Sequence, residues 1–263
     1  MPDAQTGGQV VEPDFGMVSN AQLLDRGPRY FETPADPYAP DAPRIAEPWN
    51  MVTASFFVII AVAWLVRLRG RYLRFPFLLT CLPILFVGGV GGTLYHGLRT
   101  RQLYFFLDVI PIQMLALMGA VFLAVRLWRG TGWLYLGGAI VLNLGVGALL
   151  FKIVAPTNRA LAVNLNYASI AVVVVLPMLF VLVRLKFRHV GLVAAALISF
   201  AIAWFFRLLD LSLGVYLPMG SHWLWHTFGA VSVTLLIEFF YHVERDGLNT
   251  ATQPTAERGT HVE

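Results

Sequence analysis

With 263 residues, 57% of them hydrophobic and only 13% charged, the chain has about half the charged fraction of a soluble domain and cannot be one. Its net charge of +4 comes from arginines at the ends of apolar stretches, which marks membrane topology rather than a nucleic-acid surface. Cys81 is the single cysteine and lies inside an apolar stretch, so an intrachain disulfide and a cysteine-ligated zinc site are both excluded.

Residues 1–44, rich in Pro, Asp and Gly, read as an irregular arm without the basic start and apolar centre of a secretory signal. Seven apolar segments follow, at 49–67, 73–96, 104–126, 132–153, 162–184, 190–208 and 222–243, punctuated by Arg, Gly and Pro. Each approaches the roughly 20 residues that cross ~30 Å of hydrocarbon. Their connections are short, so sequential helices should be antiparallel neighbours. The expected fold class is an all-α membrane protein, a seven-transmembrane-helix bundle over 45–243, followed by a polar tail at 244–263 whose composition is that of disorder. The connections after segments one, three and five carry Arg67, Arg69, Arg71, Arg74, Arg126, Arg129, Arg184, Lys186 and Arg188. With Arg245 and Arg258 of the tail, that side holds eleven of the 19 basic residues. It should be cytoplasmic by the positive-inside rule, which puts the N-terminus outside and the C-terminus in the cytoplasm.

On that topology the ionisable residues fall at one level. Glu47 precedes the first segment, His96 ends the second, Asp108 opens the third, and His222 and His226 open the seventh, all at the outer end. His222 and His226 are four apart and therefore stack on one helix face, one turn from each other. Two such imidazoles can share a metal ion, although an isolated pair of this spacing more often bonds a neighbouring helix. Three histidines and an aspartate at one membrane depth favour the metal, because ionisable groups there are costly and usually mark a site. Three neutral imidazoles leave tetrahedral Zn²⁺ one open position for water, and Asp108 is placed to move that water's proton.

The other polar residues carry blander readings. Gly88 and Gly92 have the spacing that lets helix backbones approach closely. Arg207 with Asp210, and Glu238 with His242, read as local pairs; Asn143, Asn164, Asn166 and Tyr167 read as cavity lining or interhelical hydrogen bonds. His189 and His261 carry no signal. Lys152 and Lys186, the only lysines, sit at segment ends, so a retinal Schiff base is excluded.

Ile45-Ala46-Glu47-Pro48-Trp49-Asn50, Gly92-x3-His96, Leu107-Asp108-x2-Pro111 and Ser221-His222-x2-Trp225-His226, in this order and placement, resemble the alkaline ceramidases. That family belongs to a superfamily of seven-helix membrane hydrolases that includes adiponectin-receptor-like and GPI-remodelling proteins; the resemblance spans about residues 45–243. It implies zinc held by His96, His222 and His226, Asp108 as the acid/base group, and a ceramide-like lipid cleaved at its N-acyl bond to a long-chain base and a fatty acid. It also implies a Ca²⁺ site through Glu47 and an acidic residue of the arm. Asp36 has the suitable spacing, Asp25, Glu32 and Asp41 compete, and Tyr38 stands where the family has an asparagine. The family serine four residues before the first histidine is Gly92 here, which leaves the hydroxyl of Thr93 or a backbone N–H to face an oxyanion. The spacing from His96 to Asp108 is one residue longer than in the animal enzymes, and their disulfide cannot form. Both departures point to a distant, bacterial member in the cytoplasmic (inner) membrane. Rival expectations are hydrolysis of another lipid amide or ester, and a non-enzymatic lipid sensor with structural zinc.

Overall fold

The structure, a computed structural model, describes residues 23–157 and 159–248, without the side chains at 129, 159, 160, 163, 164 and 167. The outer reaches of the arm and tail, with Arg258 and His261, lie outside the described residues, as do the side chains of Asn164 and Tyr167. The elements are α1 (Pro48–Ala54), α2 (Phe56–Arg67), α3 (Pro76–Leu98), α4 (Gln102–Trp128), α5 (Gly132–Ile153), α6 (Arg159–Arg184), α7 (Val190–Leu208), α8 (Asp210–Leu213) and α9 (His222–Asp246). No strand occurs among the described residues. Six helical stretches are long and apolar enough to cross a membrane: Pro48–Arg67, α3, α4, α5, α7 and α9. In α6 the stretch Ala168–Arg184, whose side chains are all described, is apolar as well.

The first segment breaks at Ser55 into α1 and α2. The Thr53 hydroxyl bonds back to the carbonyls of Trp49 (2.8 Å) and Asn50, and the Ser55 hydroxyl to that of Val52 (2.6 Å). Hydroxyls that back-bond in this way compete with the helical ladder and bend it. Outward faces are apolar throughout. In α5 only Gly132 and Ala139 are buried, while Trp133, Leu134, Val141, Leu142, Leu144 and Leu149 are exposed. A surface of this extent suits lipid and not water.

The packed apolar core occupies one end of the bundle. Trp64 and Leu68 of α2, Leu78 and Leu82 of α3, Leu123 of α4, Met178 and Val181 of α6, Val193 of α7, and Phe239 and Tyr241 of α9 all meet there. The fully buried charged residues and three buried histidines gather at the other end, beneath the arm. Asn143 of α5 donates to the Ser169 hydroxyl of α6 at 2.8 Å, an interhelical bond rather than a cavity wall. Gly91 permits the close approach of α3 to α4, since a Cβ there would lie 2.4 Å from the Leu107 Cβ.

Helix N-termini are capped by carboxylates from elsewhere in the chain, where charge meets the positive end of the helix dipole. Glu32 of the arm accepts the N–H groups of Trp49 (2.7 Å) and Asn50 (3.0 Å) in α1. Glu244 of α9 accepts those of Phe77 (2.8 Å) and Leu78 (3.3 Å) in α3. Asp210 accepts those of Ser221 (2.7 Å) and His222 (2.9 Å) at the start of α9, and its second oxygen accepts the Phe31 N–H of the arm at 2.8 Å. The carboxylate of Asp210 thus fastens three pieces of backbone, a role beyond the expected pair with Arg207. Burial raises its pKa and these three N–H groups lower it, with a net upward shift. Gly220 makes the fastening possible, because a Cβ there would lie 2.5 Å from Asp210 Oδ1.

Candidate metal centre

Three side chains converge where α3 ends and α9 begins. His96 sits in the last turn of α3, His222 and His226 in the first two turns of α9, and they are 0%, 1% and 3% exposed. One ligand atom from each lies within 4.8 Å of the others. His96 Nε2 and His226 Nε2 are 3.1 Å apart, and the ring centroids of His222 lie 5.3 Å from His96 and 4.8 Å from His226. Zn–N bonds of about 2.0–2.1 Å at tetrahedral angles would put ligand nitrogens roughly 3.3 Å apart. The Nδ1 of His222 is buried with no hydrogen-bond partner in the protein. A buried lone pair without a partner is costly unless a ligand takes it. Donor chemistry, spacing and the orphaned nitrogen therefore fit a metal ion.

Glu47 orients the first histidine. Its Oε2 lies 2.5 Å from His96 Nδ1, which assigns the proton to Nδ1 and turns the Nε2 lone pair towards the other two rings. The other contacts of Glu47 come from Asn50 Nδ2 to Oε2 (3.1 Å), and from the Thr33 hydroxyl (2.6 Å) and Arg99 Nη1 (2.8 Å) to Oε1. Burial opposes the charge on Glu47, but His96, Arg99 and Thr33 outweigh it and hold the carboxyl below its ordinary range. Arg99 ends α3 in the left-handed conformation, φ 52°, which swings its guanidinium inward. There Nε donates to Asp25 Oδ2 at 2.7 Å and Nη2 to the Pro28 carbonyl at 2.9 Å, with Arg99, Asp25 and Glu47 all fully buried. Burial works against the guanidinium charge, yet Glu47 and Asp25 raise the pKa overall. A continuous chain of charge thus runs Asp25–Arg99–Glu47–His96 from the arm to the cluster.

That chain bears on the calcium expectation. Four donors already surround the two oxygens of Glu47, and the cation between Glu47 and the arm is the guanidinium of Arg99. Asp36 accepts the Tyr38 N–H at 2.9 Å in a local turn and is exposed. Glu32 caps α1, and Asp25 pairs with Arg99. Among the described residues, no group of three metal-competent side chains includes Glu47, Asp36 or any other acidic residue of the arm.

Asp108 of α4 lies against α3 near the cluster. Its Oδ1 lies 2.6 Å from where a Cβ on residue 92 would stand, one helical turn before His96. Gly92 is therefore the space that the carboxylate occupies, and a serine at this position would collide with it. Thr93 faces elsewhere: its hydroxyl donates to the Gly89 carbonyl at 2.7 Å, inside its own helix. In this arrangement its one hydroxyl proton is committed within α3, which leaves a backbone N–H as the other donor expected for an oxyanion. Tyr30 of the arm roofs the cluster. Its ring stacks on His222 at 3.7 Å and lies 5.4 Å from His96. Burial raises the phenol pKa, the largest of several influences, so the group keeps its proton.

Reading the sequence alone missed two parts of this centre and the partner of a third. Arg99 went unused as a site residue, although an arginine three residues after a site histidine, at a helix end, was a usable signal. Tyr30 lies in the arm and carries no local pattern, and Asp25, expected as a competing Ca²⁺ ligand, pairs with Arg99. His189, to which no role was assigned, stacks on His242 at 4.3 Å at the far end of α9. Glu238 bonds His242 Nε2 at 3.3 Å, as expected, and also takes both guanidinium nitrogens of Arg67. Neither a family model, nor a curated protein, nor a solved structure matches the chain.

Proposed function

We propose that this chain is a multi-pass membrane hydrolase that uses zinc held by His96, His222 and His226 to cleave the N-acyl amide of a ceramide-like lipid. The observation that carries the reading is the convergence of three buried imidazoles with the carboxylate of Asp108 beside them. A cluster built only for structure would close its fourth position with a protein ligand, and Asp108 instead stands one turn away over Gly92. Bound there, Zn²⁺ supplies Lewis acidity for the amide carbonyl and lowers the pKa of a water towards roughly 7. Glu47 keeps the proton on His96 Nδ1 and so keeps Nε2 free to ligate. Asp108 accepts a proton from the attacking water as the new C–O bond forms, and returns it to the amine nitrogen as the C–N bond breaks. Fatty acid and free long-chain base leave with all atoms accounted for.

The lipid assignment rests on the apolar exterior of the helices and on the sequence resemblance. Parity supports seven membrane crossings over six. His96 closes α3 and His226 opens α9, and their Nε2 atoms are 3.1 Å apart. For both to lie on one side, the chain must cross an even number of times between them. Crossings by α4, α5, α6 and α7 satisfy this, which supports a crossing by α6 as well and a total of seven. The excess of arginine at the opposite ends favours a cytoplasmic far side and an outward-facing site.

Purified protein would be assayed for bound zinc and for products from a panel of lipid amides and esters by mass spectrometry. The expected outcome is one zinc lost from His96→Ala and from His226→Ala, with fatty acid released from ceramide-like amides by wild type only. Zinc retained in both variants would overturn the metal assignment. Zinc lost without any lipid turned over by wild type would leave a metal-holding protein that is not this hydrolase.

A further inference from the structure

The far end of α9 carries a second constellation. His189, His242 and Asp246 each offer a ligand atom within 4.8 Å of the others, and all three residues are half-buried. His189 is held at the N-terminal cap of α7 with φ 67°, a left-handed conformation that a side-chain-bearing residue adopts at a cost. Its ring lies parallel to that of His242, 4.3 Å away and 15° between planes. His242 has Nδ1 buried without a hydrogen-bond partner, while Nε2 is 3.3 Å from Glu238 Oε1. Glu238, His242 and Asp246 recur every fourth residue and so share one face of α9.

We propose that His189, His242 and Asp246 form a second site, for a divalent first-row transition metal of the zinc class, that clamps the start of α7 to the end of α9. Two imidazoles and a carboxylate are the donors that suit zinc, whereas Ca²⁺ and Mg²⁺ prefer all-oxygen sets. The orphaned Nδ1 of His242 is the ligand atom on that ring, and Glu238 holds the opposite nitrogen, the usual arrangement for a metal-bound histidine. Asp246 is bonded by Arg245 at 2.6 and 2.9 Å, but Arg245 is exposed and an exposed pair of this kind yields readily. Bond lengths of about 2.0–2.2 Å require the ligand atoms to draw closer than they stand, which half-exposed rings at a helix cap can do by small rotations. The site is independent of the hydrolase reading and uses none of its residues.

The test compares the full chain, free of any polyhistidine tag, with a His189→Ala/His242→Ala variant, both equilibrated with Zn²⁺ and analysed for metal content. The variant is expected to hold one equivalent less than wild type, whatever the His96 cluster holds. Co²⁺ should give wild type an additional tetrahedral ligand-field band that the variant lacks. Glu238→Gln should weaken this site by about 10- to 100-fold while leaving the other unchanged. Equal metal content in wild type and the double variant at saturating Zn²⁺ would overturn the proposal. Should the double variant fail to fold, Asp246→Asn decides: an unaltered Co²⁺ spectrum and affinity in that variant would overturn it equally.

Discussion

At the scale of single residues, the centre is built from side chains whose second contacts matter as much as their first. Asp108→Asn should keep zinc and lose about 10²- to 10⁴-fold in turnover, because an amide cannot accept the proton; metal analysis with product mass spectrometry reads both quantities. Thr93→Val should turn over lipid within a few-fold of wild type, since the hydroxyl serves the Gly89 carbonyl. A loss of about 10²-fold or more in that variant would return the hydroxyl to the chemistry. Gly92→Ser should do worse than Thr93→Val, as its Cβ would stand 2.6 Å from Asp108 Oδ1. The histidines and Asp108 were legible from sequence because residues of rare type in a membrane segment stand out against an apolar background. The partners of Glu47 were not, since nothing local marks that Thr33 of the arm and Arg99 at the end of α3 would meet it.

Among the elements, the arm is held to the bundle by ionic and capping contacts rather than by a core of its own. Asp25, Glu32 and Phe31 each bond a different helix end, through Arg99, α1 and Asp210 respectively. With a guanidinium where a calcium ion was expected, thermal unfolding of the wild type in detergent should not respond to Ca²⁺ or to a chelator selective for it. Removing one partner of a buried ion pair leaves the other charge uncompensated, at about 3–5 kcal/mol. Arg99→Met should therefore lower the unfolding midpoint strongly and open the arm to protease, whether or not calcium is present. Calcium restoring the midpoint of Arg99→Met would show that Asp25 and Glu47 can hold a divalent ion once the guanidinium is gone. A shift on chelation in the wild type would contradict the assignment of Arg99. Helix placement was legible because apolar runs and Arg/Pro punctuation are strong signals. The break at Ser55 was not, since it depends on where two hydroxyls turn.

Across the whole molecule, the His96 cluster and the packed apolar core are separated along the helix axes, and the direction of those axes in the membrane decides which side the cluster lies on. Connections between α4 and α5 and between α5 and α6 fall on opposite sides, so one cysteine in each reports the orientation. Cys81 is buried and can be replaced by Ser to give a background without thiols. Gly130 has open space around a new Cβ, and Ala155 lies in the turn after α5. In intact cells a membrane-impermeant maleimide should label Ala155→Cys directly and Gly130→Cys only after permeabilisation. This follows because Arg126, Arg129, Arg184, Lys186 and Arg188 cluster at the ends near Gly130, and basic residues are retained in the cytoplasm. The opposite labelling would invert the bundle and open the His96 cluster to the cytoplasmic leaflet. Labelling of both sites from the same side would contradict α5 as a crossing helix, and with it the even number of crossings that brings His96 to His226.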